Sequence, residues 1–112
     1  MNINAALVHA YALAYVEKKA AANGEPLRRH EIKFIDLRVY TQGGQGFYFI
    51  PGYAPGKWYY DEQPNDGHYN NCPSEDVEAA ITSGGKIQIV GVRGISLGLW
   101  QNWGKFSEEV LS

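Results

Sequence analysis

The residues most able to do chemistry lie in one short stretch that ends at Cys72, the single cysteine of the chain. Cys72 precedes a predicted helix, and a helix N-terminus can lower the pKa of a thiol and so favour the nucleophilic thiolate. His68 could accept the thiol proton and Asp66 could orient the imidazole, as in cysteine hydrolases. Such groups usually come from separate elements, and no recognisable signature surrounds this cysteine. We therefore favour a loop cysteine packed under the sheet, with Cys72 and His68 kept as weak catalytic candidates.

The same stretch contains five potential metal ligands within twelve positions: Asp61, Glu62, Asp66, His68 and Cys72. Zinc would prefer the imidazole and the thiol, whereas calcium would prefer the carboxylates. Neither the paired spacing of zinc ligands nor an EF-hand pattern is present. We predict a solvated acidic loop, and no metal or other cofactor.

A basic concentration leads into the first predicted strand: Arg28, Arg29, His30, Lys33 and Arg38. Together with rings such as Tyr40 and Tyr48, it could hold single-stranded RNA, and His30 could act as acid or base in RNA cleavage. The alternative is a solvated strand entrance, balanced by nearby acidic residues. The net charge of -2 disfavours a general nucleic-acid binder, since that activity needs a dense basic surface.

The chain carries nine aromatic residues between Tyr40 and Tyr69, more than one face of a core needs. Exposed tyrosines and tryptophans usually contact a partner, because each ring buries a large apolar area at little rotamer cost. We predict four of these rings as anchors: Tyr53, Trp58, Tyr59 and Tyr69. Three acidic neighbours would steer the partner: Asp61, Glu62 and Asp66. Trp100 and Trp103 are further candidates for this aromatic surface.

Alternation along the chain places Trp58 and Tyr60 on one face of a strand and Tyr59 on the other. The alternation leaves open which of the two faces is exposed. The rings could anchor a protein partner. They could instead bind a sugar, since tyrosine and tryptophan faces stack on pyranose rings. They could also simply cover a small core.

Length and composition predict one globular domain over residues 1–112. Of these residues, 45% are hydrophobic and 20% are charged, which is ordinary for a folded domain. The longest apolar stretch, Ala5 to Val16, has about 12 residues, fewer than the roughly 20 that cross a bilayer. We expect neither a signal peptide nor a membrane helix. A single cysteine excludes an internal disulfide and fits a reducing, cytoplasmic setting.

The first half of the chain predicts a helix followed by three strands. Helical spacing over residues 4 to 22 predicts a mainly apolar stripe on one face of the helix, rich in alanine and able to lie close against a sheet: Ala6, Leu7, Ala10, Leu13, Ala14 and Glu17. Asn2 or Asn4 could cap this helix, and Gly24 followed by Pro26 would end it. Strands are then predicted at Glu31–Tyr40, Phe47–Ile50 and Lys57–Asp61, as an antiparallel meander. The glycine-rich run 43–46 lacks the residues of a phosphate loop and predicts the first hairpin turn.

The second half predicts a helix and two more strands. Pro73 suits the first turn of the helix, Val77, Ala80 and Ile81 would face the core, and Gly84-Gly85 would end it. Strands follow at 86–92 and 95–100, and the tail from Ser107 could add one helical turn. The predicted fold is therefore a two-layer α+β domain with about five mainly antiparallel strands.

The absence of a secure catalytic constellation favours a binding module over an enzyme. We expect a small non-enzymatic protein that binds and occludes a protein partner, as inhibitors, antidotes to toxins and accessory proteins of mobile elements do. Two alternatives stay open: an RNA-binding or RNA-cleaving domain that uses the region Arg28–Arg38, and a hydrolase that uses Cys72 and His68. Homo-oligomerisation is compatible with each of these three hypotheses.

Overall fold

The computed structural model describes residues 3–28, 31–32, 36–41, 46–50, 57–61, 70–90, 98 and 100–112. Within these residues the chain forms three helices: α1 (Ala5–Ala22), α2 (Ser74–Thr82) and α3 (Trp103–Leu111). The described strands are β1 (Asp36–Tyr40), β2 (Gly46–Tyr48), β3 (Trp58–Asp61), β4 (Asn70–Cys72), β5 (Lys86–Val90) and β6 (Gln101–Asn102). Along the chain the order is α1-β1-β2-β3-β4-α2-β5-β6-α3.

The strands form one antiparallel sheet in the order β4-β3-β2-β1-β5-β6. The predicted meander is confirmed as β1-β2-β3, and Tyr40 lies opposite Gly46 across the first hairpin. Residues 42–45 of the glycine-rich run and residues 33–35 of the first predicted strand lie outside the described residues. Helix α2 carries the chain from β4 at one edge of the meander to β5 beside β1.

The three helices pack on one face of this sheet, which confirms the two-layer α+β prediction. The inward residues of the strands and the buried residues of the helices form one core. Its largest fully buried side chains come from both layers: Trp58, Phe49, Phe106, Leu37, Ile87, Ile89, Val8, Val16, Val39 and Val77. No helix in the described part of the chain is long and apolar enough to cross a lipid bilayer.

Helix α1 begins and ends as the sequence predicts, but it buries a different face. Asn4 Oδ1 accepts hydrogen bonds from the backbone N–H groups of Ala6, at 2.8 Å, and Leu7, at 3.3 Å. The buried residues of the helix are Ala5, Val8, His9, Ala12, Tyr15 and Val16, so the predicted stripe is wrong. Alanines occur on every side of this helix, and the larger side chains of Val8, Tyr15 and Val16 decide which face is buried.

Helix α2 follows the prediction closely. Pro73 is its N-cap, one position before the first helical residue, and Val77, Ala80 and Ile81 are buried as predicted. The helix ends in a Schellman motif, in which the Gly84 N–H donates to the Ile81 carbonyl and the Gly85 N–H donates to the Ala80 carbonyl. Gly84 has a φ of 92°, a conformation that glycine adopts without strain.

Helix α3 corrects the prediction for the C-terminal segment. The tail was predicted to add a single helical turn from Ser107, but α3 begins at Trp103 and spans nine residues. Asn102 caps it by accepting a hydrogen bond from the Lys105 N–H at 3.0 Å. Trp103 is buried against α1, with its ring 5.4 Å from that of Tyr11. Of the strand predicted at 95–100, only Gly98 and Trp100 are among the described residues, and neither lies in a strand, since β6 begins at Gln101.

The sheet face opposite the helices, called here the helix-distal face, carries the alternate residues of each strand. Opposed residues of an antiparallel pair point to the same side, so the register assigns this face. One row across it runs through Tyr59, Tyr48, Arg38 and Gln88. Tyr40 and Lys86 oppose each other in the next row. This face therefore combines aromatic rings with basic side chains.

Candidate functional site

Cys72 lies in the structure as a protonated, buried thiol. It is the last residue of β4, its side chain is 8% exposed, and its thiol donates to the Pro73 carbonyl with an S–O distance of 3.4 Å. Burial is the main cause that raises the pKa of Cys72 to about 11, and hydrogen bonding with Tyr60 opposes that rise only in part. The expected lowering of this pKa by the helix N-terminus is therefore wrong. His68 and Asp66 lie outside the described residues.

Beside Cys72, Tyr60 links the sheet to the start of α2. The Tyr60 hydroxyl donates a hydrogen bond to Asp76 in the first turn of α2. This bond is the main cause that raises the pKa of Tyr60 above its ordinary value. The polar groups next to the thiol are therefore engaged in holding β3, β4 and α2 together.

The predicted cluster of metal ligands is described only in part. Cys72 lies in β4 and Asp61 ends β3, whereas Glu62, Asp66 and His68 lie outside the described residues. Among the residues that the structure describes, no group of three or more His, Cys, Asp or Glu side chains could hold a metal ion.

Two of the four predicted anchor rings are buried. Trp58 is 1% exposed and packs on the core side against Phe49, with ring centroids 4.9 Å apart. Tyr59 is 3% exposed and lies on the helix-distal face, with its ring 5.6 Å from that of Tyr48. The predicted alternation is confirmed, but the expected exposure of one of these two rings is wrong, because both faces of β3 are covered at this point. Tyr53 and Tyr69 lie outside the described residues, and a binding role for the four rings stays a prediction.

Instead, Tyr40 and Trp100 are the exposed large aromatic side chains in the described part of the chain, at 44% and 37%. Their rings meet edge to face, with centroids 5.0 Å apart. The sequence analysis included Trp100 in the aromatic surface and counted Tyr40 among the nine aromatic residues and beside the basic region, but it did not predict Tyr40 as an anchor. The two residues lie far apart in the chain, and the sheet order β1-β5-β6 brings them together.

The ring pair lines an open cleft of about 570 Å³, called here the Tyr40–Trp100 cleft. Its described lining residues are Tyr40, Thr41, Gly84, Lys86 and Trp100. Lys86 opposes Tyr40 on one side and Asn102 on the other, and Trp100 lies two residues before Asn102. The Schellman turn after α2 places Gly84 at the border. Two strands, a helix end and the approach to β6 therefore build the cleft.

Lys86 gives the cleft its charge. It is the single charged residue among the described lining residues, and its side chain is exposed. Asp61 occupies the same row of the sheet two strands away, since Asp61 opposes Gly46 and Gly46 opposes Tyr40. Asp61 on β3 and Lys86 on β5 therefore lie in the same row of the sheet, on either side of Tyr40.

The basic region is described only in part. Arg38 is half-buried on the helix-distal face, in the same row as Tyr48, with Tyr40 in the next row. The backbone N–H of Arg28 donates to Glu31 Oε1 at 3.0 Å, a bond that does not involve the Arg28 guanidinium group. Arg29, His30 and Lys33 lie outside the described residues.

Comparisons of the chain with protein-family models, with curated proteins and with solved structures find no match. The function of the protein therefore has to be inferred from the residues of this chain alone. The signal that could have identified the cleft was the position of Tyr40 and Trp100 at strand ends next to turns, where large rings tend to stay partly exposed. The order of the strands was also needed to place the two rings together.

Proposed function

We propose that this protein is a non-enzymatic binding module that docks on a protein partner and occludes it. The observation that carries the proposal is the exposed pair of Tyr40 and Trp100 in a cleft of about 570 Å³. A cleft of this size is large enough for a ligand group, and tyrosine and tryptophan are among the residues on which the binding energy of protein interfaces concentrates. The anchors thus differ in part from those that the sequence suggested.

Acidic residues would contribute to the encounter rather than to the anchor. Asp61 lies at the end of β3 in the same row as Tyr40, so a carboxylate can steer a partner whose surface has basic groups. The predicted contributions of Tyr53, Tyr69, Glu62 and Asp66 belong to this same proposal. We place the protein in the cytoplasm, because its single cysteine is a free thiol.

The state of Cys72 weighs against the hydrolase alternative. A nucleophilic cysteine works as the thiolate, and a pKa of about 11 leaves very little thiolate at neutral pH. The thiol is also buried, so a substrate would need to displace covering atoms to reach it.

One observation favours the RNA alternative as a second candidate. Arg38, Tyr40 and Lys86 lie on the same face of the sheet, and single-stranded RNA binds to surfaces that combine cations with rings. The net charge of -2 argues against it, because the attraction to phosphates depends on many cations acting together.

Affinity capture from lysate of the source cell tests the proposal. Wild type should retain a stoichiometric protein that Trp100→Ala loses, because the variant removes half of the ring pair. Leu7→Ala is the matched control, since Leu7 is equally exposed at 38% but lies on α1 in the helix layer. Thermal melts of all three proteins must show the same folded state.

Retention of the same protein by Trp100→Ala, or its loss with Leu7→Ala as well, would contradict the proposal. Recovery of RNA instead of protein, lost when Lys86 is changed and weakened steeply by salt, would replace it with the second candidate.

A further inference from the structure

The Tyr40–Trp100 cleft contains one cation, Lys86, among its described lining residues. No hydrogen bond or ion pair joins the Lys86 ammonium group to another described residue. Lys18 shows the contrast, because its ammonium group donates to the Glu109 carbonyl at 2.7 Å and to Ser112 Oγ at 2.9 Å at the end of α3. The Lys86 ammonium group is therefore available to bind a ligand.

The end of α2 does not compete for this ammonium group. The carbonyls of Ala80 and Ile81 accept from the N–H groups of Gly85 and Gly84, and the Ala79 carbonyl accepts from Ser83. Carbonyls at the end of a helix are groups that a nearby lysine can cap. Since the Schellman motif already satisfies them, Lys86 is not needed to cap the helix.

No acidic side chain is among the described residues that line the cleft. A ligand that fills it must therefore bring its own negative charge if the ammonium group is to be paired. The ring pair beside Lys86 offers apolar surface at the same time. The complementary ligand has a carboxylate next to an apolar or aromatic group.

We propose that the Tyr40–Trp100 cleft binds an acidic peptide segment of the partner, with an Asp or Glu carboxylate on Lys86 and the neighbouring apolar side chain against the two rings. This inference rests on the proposed docking function and names the chemistry of the docked segment. A carboxylate paired with an ammonium group forms a charge-assisted hydrogen bond, stronger than a neutral one. The ring contact supplies apolar burial, and the ion pair selects the segment.

A peptide is favoured over a nucleic-acid strand by the number of cations. Lys86 is the one charge among the described lining residues, which matches a single carboxylate. A nucleic-acid strand presents a phosphate at every nucleotide and binds through several cations along its backbone.

Selection from a phage-displayed library of random linear peptides tests the inference directly. The full chain is the bait, and Trp100→Ala, Lys86→Glu and Lys105→Glu are run in parallel. Lys105→Glu is the matched control, because it changes the net charge equally at an exposed position on α3. We expect wild type and Lys105→Glu to enrich peptides with an Asp or Glu next to an apolar or aromatic residue.

Lys86→Glu should instead enrich peptides with a Lys or Arg next to an apolar or aromatic residue. Trp100→Ala should enrich neither the acidic nor the basic peptides. In titrations with one selected peptide, Lys86→Met should weaken binding about tenfold, the effect of losing one charged hydrogen bond. Replacing the carboxylate of the peptide by an amide should weaken binding to wild type to a similar extent, and binding to Lys86→Met much less.

The outcomes separate the two proposals. Peptides that depend on Trp100 but show no acidic preference would overturn the inference and leave the docking function intact. Failure to select any peptide that depends on Trp100 would overturn both. Binding of a fluorescent oligouridine that requires Trp100 and Lys86 would overturn the peptide inference in favour of RNA.

Discussion

At the scale of single residues, the protonated thiol of Cys72 makes stability depend on pH in the alkaline range. The pKa of this thiol is about 11 in the folded protein, against an ordinary value of 9.0. Between these two values the unfolded chain releases the proton and the native chain keeps it. The free energy of unfolding should therefore fall as the pH rises from 9 to 11, and this contribution should be constant below pH 9.

Urea unfolding of wild type and Cys72→Ser across this pH range checks the prediction, because serine does not titrate there. The free energy of unfolding of wild type minus that of Cys72→Ser should decrease as the pH rises from 9 to 11. The pKa of Tyr60 is also raised, mainly by its hydrogen bond to Asp76, which both proteins keep, and the contribution of Cys72 to that rise is smaller. A constant difference from pH 8 to pH 11 would show that the native thiol ionises as freely as the unfolded one.

Also at this scale, two tryptophans should differ sharply in what their removal costs. Trp58 is fully buried against Phe49, so Trp58→Ala should lower the free energy of unfolding by about 3–5 kcal/mol. Trp100 is exposed and contacts Tyr40 edge to face, so Trp100→Ala should lower it by only about 0.5–1.5 kcal/mol. Chemical denaturation of both variants measures the contrast. Similar costs for the two substitutions would refute the assignment of Trp58 to the core and Trp100 to the surface.

At the scale of elements, the turn between α2 and β5 fixes how the sheet meets the helix. A Cβ added to Gly85 would lie 2.6 Å from the Ala80 carbonyl oxygen and 3.2 Å from Val39 Cγ1. Gly85→Ala should therefore destabilise the protein by about 1–3 kcal/mol. Gly104→Ala, in α3, meets only Asn102 Oδ1 at 3.5 Å and should be neutral or stabilise by up to about 1 kcal/mol.

Melting temperatures of the two alanine variants compare them under one condition. We expect the midpoint to fall for Gly85→Ala and to hold or rise for Gly104→Ala. Equal shifts would mean that the close approach of the turn to β1 is not a constraint in solution.

Local patterns predicted some elements well and others poorly, for identifiable reasons. Alternation and β-branched residues predicted β5 and the second half of the first predicted strand, but Glu31 and Ile32, also predicted as strand, do not belong to β1. Pro73 with Gly84 was enough for α2. The stripe on α1 was wrong because alanine is compatible with burial on any side. Helix α3 was predicted too short because Trp100 and Trp103 fit a strand as well as a helix, and Asn102 was not recognised as a cap.

At the scale of the whole molecule, the cleft is a product of topology. Tyr40 ends β1, Lys86 begins β5 and Trp100 precedes β6, and the order β1-β5-β6 makes them neighbours. Periodicity can assign each of these residues to a strand end, but it carries no information about which strands are adjacent. The sequence could therefore predict exposed aromatic residues as a class, and only the long-range pairing shows which two form a site.

The central claim is that a protein partner docks at the Tyr40–Trp100 cleft, and site-specific photo-crosslinking in the source cell tests it most directly. A benzophenone amino acid replaces Thr41 in one protein and Leu7 in another, since Thr41 lines the cleft without being one of its two rings and Leu7 lies on α1 in the helix layer. We predict a discrete cross-link to one protein from position 41 and none to that protein from position 7. No cross-linked protein from position 41, or the same product from both positions, would contradict docking at this cleft.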